Sequence, residues 1–166
     1  MKRSYKIGLI VALQVLFLFS MISFNYYTLT TGAPVLLKAV PVDPWDMFRG
    51  EYVMLEYEIT WIKDESLGLE SFQQQDVYVV IEKGEKYWEE AGIYLDKPGL
   101  YGDQILIKGR VDYFNEFKDE YHVTYGIESY YVEEGQGREF GQSRNFDALI
   151  KIDRFGNAVI EKISLP

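Results

Sequence analysis

A single histidine, His122, and the absence of cysteine bound the chemistry this chain can do. Zinc sites are built from clusters of imidazole and thiolate, so zinc chemistry is excluded. Acids are plentiful, at 26 Asp and Glu, but no loop has the acidic spacing of a calcium hand. No metal and no cofactor is therefore expected. A serine nucleophile would need His122 as its base, with Ser129 or Ser143 as partner, and no G-x-S-x-G elbow is present. His122 falls on the polar face of its strand, where a solvated imidazole is the expectation.

What remains is carboxylate, arginine and tyrosine chemistry, concentrated in two segments. Arg49-Gly50-Glu51-Tyr52 opens the first, and the second, Tyr125 to Gly137, carries Glu128, Tyr130, Tyr131, Glu133 and Glu134. A hydrolase working through two carboxylates would draw its pair from Glu51, Glu128, Glu133 and Glu134. A binding site for glycan or peptide would use Tyr52, Tyr130 and Tyr131 as stacking surfaces. Arg49, Glu51, Glu128 and Glu134 are expected near a common edge, with Arg110 joining them, because arginine among acids offsets like-charge repulsion. Leu55 and Tyr57 share a face with Val53 and Ile59, so core packing accounts for them.

The elements that must position these residues follow a period of two. From Glu51, the residues Val53, Leu55, Tyr57, Ile59 and Trp61 alternate with Tyr52, Met54, Glu56, Glu58 and Thr60, which predicts one long half-buried strand. Val77, Val79 and Ile81 repeat the pattern. Ile105, Ile107, Val111 and Tyr113 form a third apolar face, and Tyr121, Val123, Tyr125 and Ile127 a fourth. Val35 to Val40 gives a first strand, stopped by Pro41 and Pro44. Ala148 to Ile152 and Ala158 to Leu165 form a closing hairpin across Asp153-Arg154-Phe155-Gly156-Asn157. Helix is expected only as a turn or two around Trp88. Six to eight such strands predict a mainly antiparallel β-sandwich or partly closed barrel, from residue 34 to the end.

Ahead of this domain, Lys2, Arg3 and Lys6 precede an uncharged run from Ile7 to Tyr27. About twenty residues at ~1.5 Å each span the ~30 Å hydrocarbon core of a bilayer. The basic side is expected in the cytoplasm, and the domain outside the cytoplasmic membrane. A cleaved signal peptide has a similar layout, but Phe24-Asn25-Tyr26-Tyr27 offers no small-x-small cleavage site, and Pro34 follows Thr31-Gly32-Ala33. A retained signal-anchor is the expectation, and without cysteine no lipid anchor replaces it. The 17 Lys and Arg less these three leave 14 against 26 acids, a net charge of −12 on the domain. Nucleic acid is not an expected partner.

Two stretches carry a family resemblance. Pro41-Val42-Asp43-Pro44 leads into Arg49-Gly50-Glu51-Tyr52-Val53-Met54-Leu55-Glu56-Tyr57, and later comes Tyr125-Gly126-Ile127-Glu128-Ser129-Tyr130-Tyr131-Val132-Glu133-Glu134-Gly135-Gln136-Gly137. Together they resemble the bacterial membrane-anchored family named for G-D-Y-x-x-L-x-Y. Gly50, Tyr52, Leu55 and Tyr57 match, and Glu51 stands where the family has Asp. The resemblance covers the whole chain, anchor included. It implies a membrane neighbour rather than a reaction, since members are often encoded beside a multi-pass membrane protein. The leading expectation is thus a non-catalytic single-pass envelope protein, an accessory subunit or adaptor of a multi-pass membrane protein. A glycan- or peptide-binding module and a carboxylate hydrolase are the alternatives. The entry at Arg49 to Val53 also resembles that of membrane-anchored signal peptidases, but Ala39 to Arg49 supplies no serine nucleophile.

Overall fold

The computed structural model of the chain describes residues 2–42, 52–63, 74–131 and 145–165. It opens with helix α1, Lys2–Thr31, whose residues 6 to 27 are all exposed. The stretch Lys6–Thr31 is long and apolar enough to cross a membrane. Thr28, one residue past the expected span, is the first that the rest of the protein buries.

Ten strands follow among the described residues, in two antiparallel sheets. β1 (Ala33–Pro41), β2 (Tyr52–Tyr57), β8 (Ser129–Tyr131), β9 (Phe146–Ile152) and β10 (Ala158–Ser164) form the first, ordered β10-β9-β1-β2-β8. β3 (Trp61–Ile62), β4 (Gln75–Lys83), β5 (Trp88–Tyr94), β6 (Ile105–Asn115) and β7 (Glu120–Thr124) form the second, ordered β3-β7-β6-β4-β5. The inward faces meet in one core. Val35, Leu37 and Ala39 of β1 and Phe146, Ala148, Ile150 and Ile152 of β9 contribute from one side, and Val77, Val79, Ile81, Ile107, Val111 and Val123 from the other. The mainly β architecture with one apolar N-terminal helix is thus the one that the period-two pattern predicts.

Four details depart from the expectation, each for a local reason. The signature strand stops at Tyr57, where a 3-10 turn, Glu58–Thr60, carries the chain from the first sheet to the second. Thr60 Oγ1 closes the turn by accepting the Tyr57 amide at 3.1 Å. The three-residue turn changes the strand parity, so Ile62 enters the core and Trp61 turns outward. The segment around Trp88 is strand rather than helix, because Lys83 and Trp88 pair across a tight turn. That turn is closed by the Gly84 amide on the Tyr87 carbonyl at 3.0 Å. A bulge between Val111 and Tyr113 swings Tyr113 out of the core face, and Phe114 packs against the core in its place. The number of strands exceeds six to eight because β3 and β8 have only two and three residues.

The helix joins the domain with almost no slack. Gly32 alone separates Thr31 from β1, and its amide bonds the Thr28 carbonyl at 2.9 Å. A Cβ at Gly32 would lie 2.5 Å from that carbonyl oxygen and 2.9 Å from the Ile152 nitrogen, so only glycine fits. Thr28 Oγ1 donates to Asp153 Oδ2 at 3.0 Å. Asp153 is 4 % exposed and also accepts from the amides of Phe155 and Asn157 at 2.8 and 3.0 Å. Burial pushes its pKa up, but the donors of Asn157, Phe155 and Thr28 outweigh it and hold the carboxyl below its usual range. The same turn meets the second sheet through the Lys108 amide on the Gly156 carbonyl, 2.8 Å.

Candidate functional site

The two segments singled out in the sequence are neighbours. β2 pairs antiparallel with β8, placing Tyr52 opposite Tyr131, Val53 opposite Tyr130 and Met54 opposite Ser129. Just past β7, Tyr125 to Glu128 carries the chain back from the second sheet to the first, beside the 3-10 turn that makes the opposite crossing. Gly126 supplies the bend at φ +77°. Three hydrogen bonds lock the crossings together. The Leu55 amide donates to the Glu128 carbonyl at 2.7 Å, Tyr57 Oη donates to the Ile127 carbonyl at 2.6 Å, and Tyr125 Oη donates to the Ile59 carbonyl. Burial raises the pKa of both phenols, with Glu128 adding to it and Glu90 also acting on Tyr125, so both hydroxyls keep their protons.

The site residues expected from sequence are distributed as follows. Tyr131 is exposed, and Tyr130 is half-buried against the core. Glu128 turns one carboxylate oxygen inward to accept the Tyr125 amide. Arg110 lies on β6 in the second sheet, where its Nε donates to Asp76 Oδ1 at 2.9 Å. Arg49, Glu51 and Glu134 lie outside the described residues, as do Glu133 and the side chain of Tyr52.

Between the crossings the structure opens a cleft of about 630 Å³, which the sequence did not announce. Met54 and Glu56 of β2, Glu128 of the second crossing, and Trp61, Asp112, Tyr113 and His122 of the second sheet line it. The wall is aromatic. His122 stacks on Tyr113 with centroids 4.8 Å apart and planes 9° apart. Trp61 stands edge-on to both, at 4.8 and 5.9 Å. Its indole N–H donates to Glu56. Lys118 places its ammonium 5.2 Å from the Trp61 ring centroid. His122 is therefore not a freely solvated histidine but one ring of this cluster. Its Nδ1 is buried without a hydrogen bond, 3.4 Å from Asp112 Oδ2. The missed signal was the Asn115 to Asp119 hairpin tip. Closing that hairpin puts Tyr113 opposite His122, ahead of the bulge, and the pairing of β3 with β7 puts Trp61 on the other side of His122.

The family model for the GDYXXLXY protein matches residues 14–163, from inside α1 to near the end of β10. The chain belongs to the GDYXXLXY family. No curated protein and no solved structure matches it. Within the GDYXXLXY signature, Leu55 is 2 % exposed and Tyr57 1 % exposed. The signature's last tyrosine thus serves as a buried strut between the two crossings. Of the signature's three variable positions, Met54 and Glu56 face the cleft and Val53 is buried in the core. Among the described residues no group of His, Asp and Glu is arranged to hold a metal ion.

Proposed function

We propose that this GDYXXLXY protein is a single-pass envelope protein of the cytoplasmic membrane, acting without catalysis as an accessory subunit of a multi-pass membrane protein. Lys2, Arg3 and Lys6 would hold the N-terminus in the cytoplasm, with the β domain on the outer side. The observation that carries the reading is the polar pair on α1. Gln14 and Asn25 are eleven residues apart, close to three whole turns, so they share one side of the helix. Both are exposed. Asn25 borders a hollow against Ser129 and Tyr130 of the domain, while to Gln14, further down the span, lipid offers no hydrogen-bond partner. A neighbouring transmembrane helix with a polar side chain does offer one. The stiff joint at Gly32 and Thr28 fits this role, because it fixes the domain relative to whatever packs on that side.

Affinity purification of the full chain in a mild detergent tests the proposal. A multi-pass membrane protein should co-purify from wild type, and its yield should fall with Gln14→Leu. Recovery of the chain alone across detergents counts against a stable partner.

A further inference from the structure

The cleft between the crossings has a chemical bias that the accessory-subunit reading does not use. We propose that it binds an organic cation, a primary ammonium carried on an apolar stem. Three carboxylates face the cleft: Glu56, Asp112 and Glu128. Glu56 and Glu128 each already accept one hydrogen bond within the protein, from Trp61 and Tyr125, which fixes their direction. Asp112 competes with the Arg110 carbonyl for the Thr124 hydroxyl, both at 3.4 Å. Among the described residues none of the three forms an ion pair with lysine or arginine. Asp112 has only the His122 imidazole beside it, at 3.4 Å, whereas some acids elsewhere do have such a cation: Glu58 with Lys38, Asp76 with Arg110, Glu120 with Lys63, Asp147 with Lys86 and Glu161 with Lys151. The cleft thus holds acceptors in excess of cations.

The aromatic wall is an independent observation that points the same way. An aromatic ring attracts a cation over its face, and the Trp61 ring here already takes one, the ammonium of Lys118 at 5.2 Å. The chain's own lysine shows what kind of group this wall accepts. Volume and lining fit a small ligand as well, since ligand clefts run from roughly 300 to 1,000 Å³ and are largely apolar with a few placed polar groups. Exposed Met54 and Val42 offer surface for an alkyl stem. Two of the hydroxyl donors near the cleft are already engaged: Ser129 Oγ points to Met54 Sδ at 3.4 Å and Thr124 Oγ1 to Asp112 or the Arg110 carbonyl, each at 3.4 Å. An anion would therefore meet carboxylates with few donors to offset them. The net charge of −12 on residues 7–166 draws cations from a distance.

Two sources carry this group, a free diamine and a lysine side chain in a peptide. The test uses the full chain in phosphatidylcholine nanodiscs and isothermal titration with three probes. These are cadaverine, Nα-acetyl-lysine methylamide, and the same lysine derivative acetylated on Nε. Saturable binding of an amine is expected, weakened about tenfold or more by Nε-acetylation, since a charge-assisted hydrogen bond is lost. Tighter cadaverine binding assigns the site to free amines, and tighter lysine binding to peptides. Asp112→Asn and Trp61→Leu should each weaken binding about threefold to tenfold in variants whose melting is unchanged. Failure of both amines to bind overturns the proposal. So does binding indifferent to Nε-acetylation, a comparison made on the wild-type chain that no folding defect can confuse. Co-purification of a membrane partner is a separate readout, so either reading can fail alone.

Discussion

Tyr57 and Tyr125 each donate a phenolic hydrogen bond into the crossover that the other begins, Tyr57 to the Ile127 carbonyl at 2.6 Å and Tyr125 to the Ile59 carbonyl. Neither carbonyl sits in a ladder, so the tyrosines do locally what strand pairing does elsewhere. Tyr57→Phe keeps the ring and strands a buried acceptor, at a cost of about 1–3 kcal/mol. Tyr125→Phe should cost a similar amount. Denaturant unfolding of the detergent-solubilised chain measures both. A change within a few tenths of a kcal/mol would mean that the carbonyls find other donors.

Leu55→Ala removes a large side chain that is 2 % exposed, and should destabilise the domain by about 2–5 kcal/mol. Met54, its neighbour on the opposite face, is 46 % exposed. Met54→Ala should stay within about 0.5 kcal/mol of wild type. Equal effects in the two variants would show that the faces of the signature strand are wrongly assigned.

Asp153 should make the joint between helix and domain sensitive to acid. Its folded pKa lies below its unfolded one. The contribution is thus present in full above the ordinary carboxyl value near ~3.9 and is lost as pH falls through the folded value. Asp153→Asn should lower the melting temperature at neutral pH. The gap from wild type should then narrow below about pH 4. A gap that widens on acidification would refute this sign.

Gly32→Ala places a Cβ against two backbone atoms, the Thr28 oxygen and the Ile152 nitrogen. Backbone cannot yield as a flexible side chain can, so the junction should open or strain by about 1–3 kcal/mol. Limited proteolysis reads this out as new cleavage between α1 and β1. Gly8→Ala is the control, since nothing lies within 4 Å of a Cβ there.

Much of the sheet was legible because one buried face imposes strict alternation, as in Phe146, Ala148, Ile150 and Ile152 of β9. β5 was not, because it lies at a sheet edge with only Ile93 fully buried and carries Glu89, Glu90 and Gly92. The 3-10 turn was hidden for a different reason: Ile59 stays buried through it, so the alternation runs on past a strand that has ended. Of the candidate site, the adjacency of Tyr52 with Tyr131 was readable from the two family segments. The ring cluster was not. Tyr113 pairs with His122 in the regular part of the hairpin, but it is the bulge between Val111 and Tyr113 that takes Tyr113 off the core face, and a bulge leaves no mark in hydrophobic periodicity.

The one-residue link at Gly32 also limits where this domain can go. A flexible tether lets a module sample a volume that grows with the tether's length, as ~5–6 Å times the square root of its residues. A single glycine pinned between Thr28 and Ile152 leaves no such volume. The domain cannot fish for a target away from its helix. Whatever it meets must arrive within touching distance of the helix end, and any roll of the helix about its axis swings the cleft through the same angle.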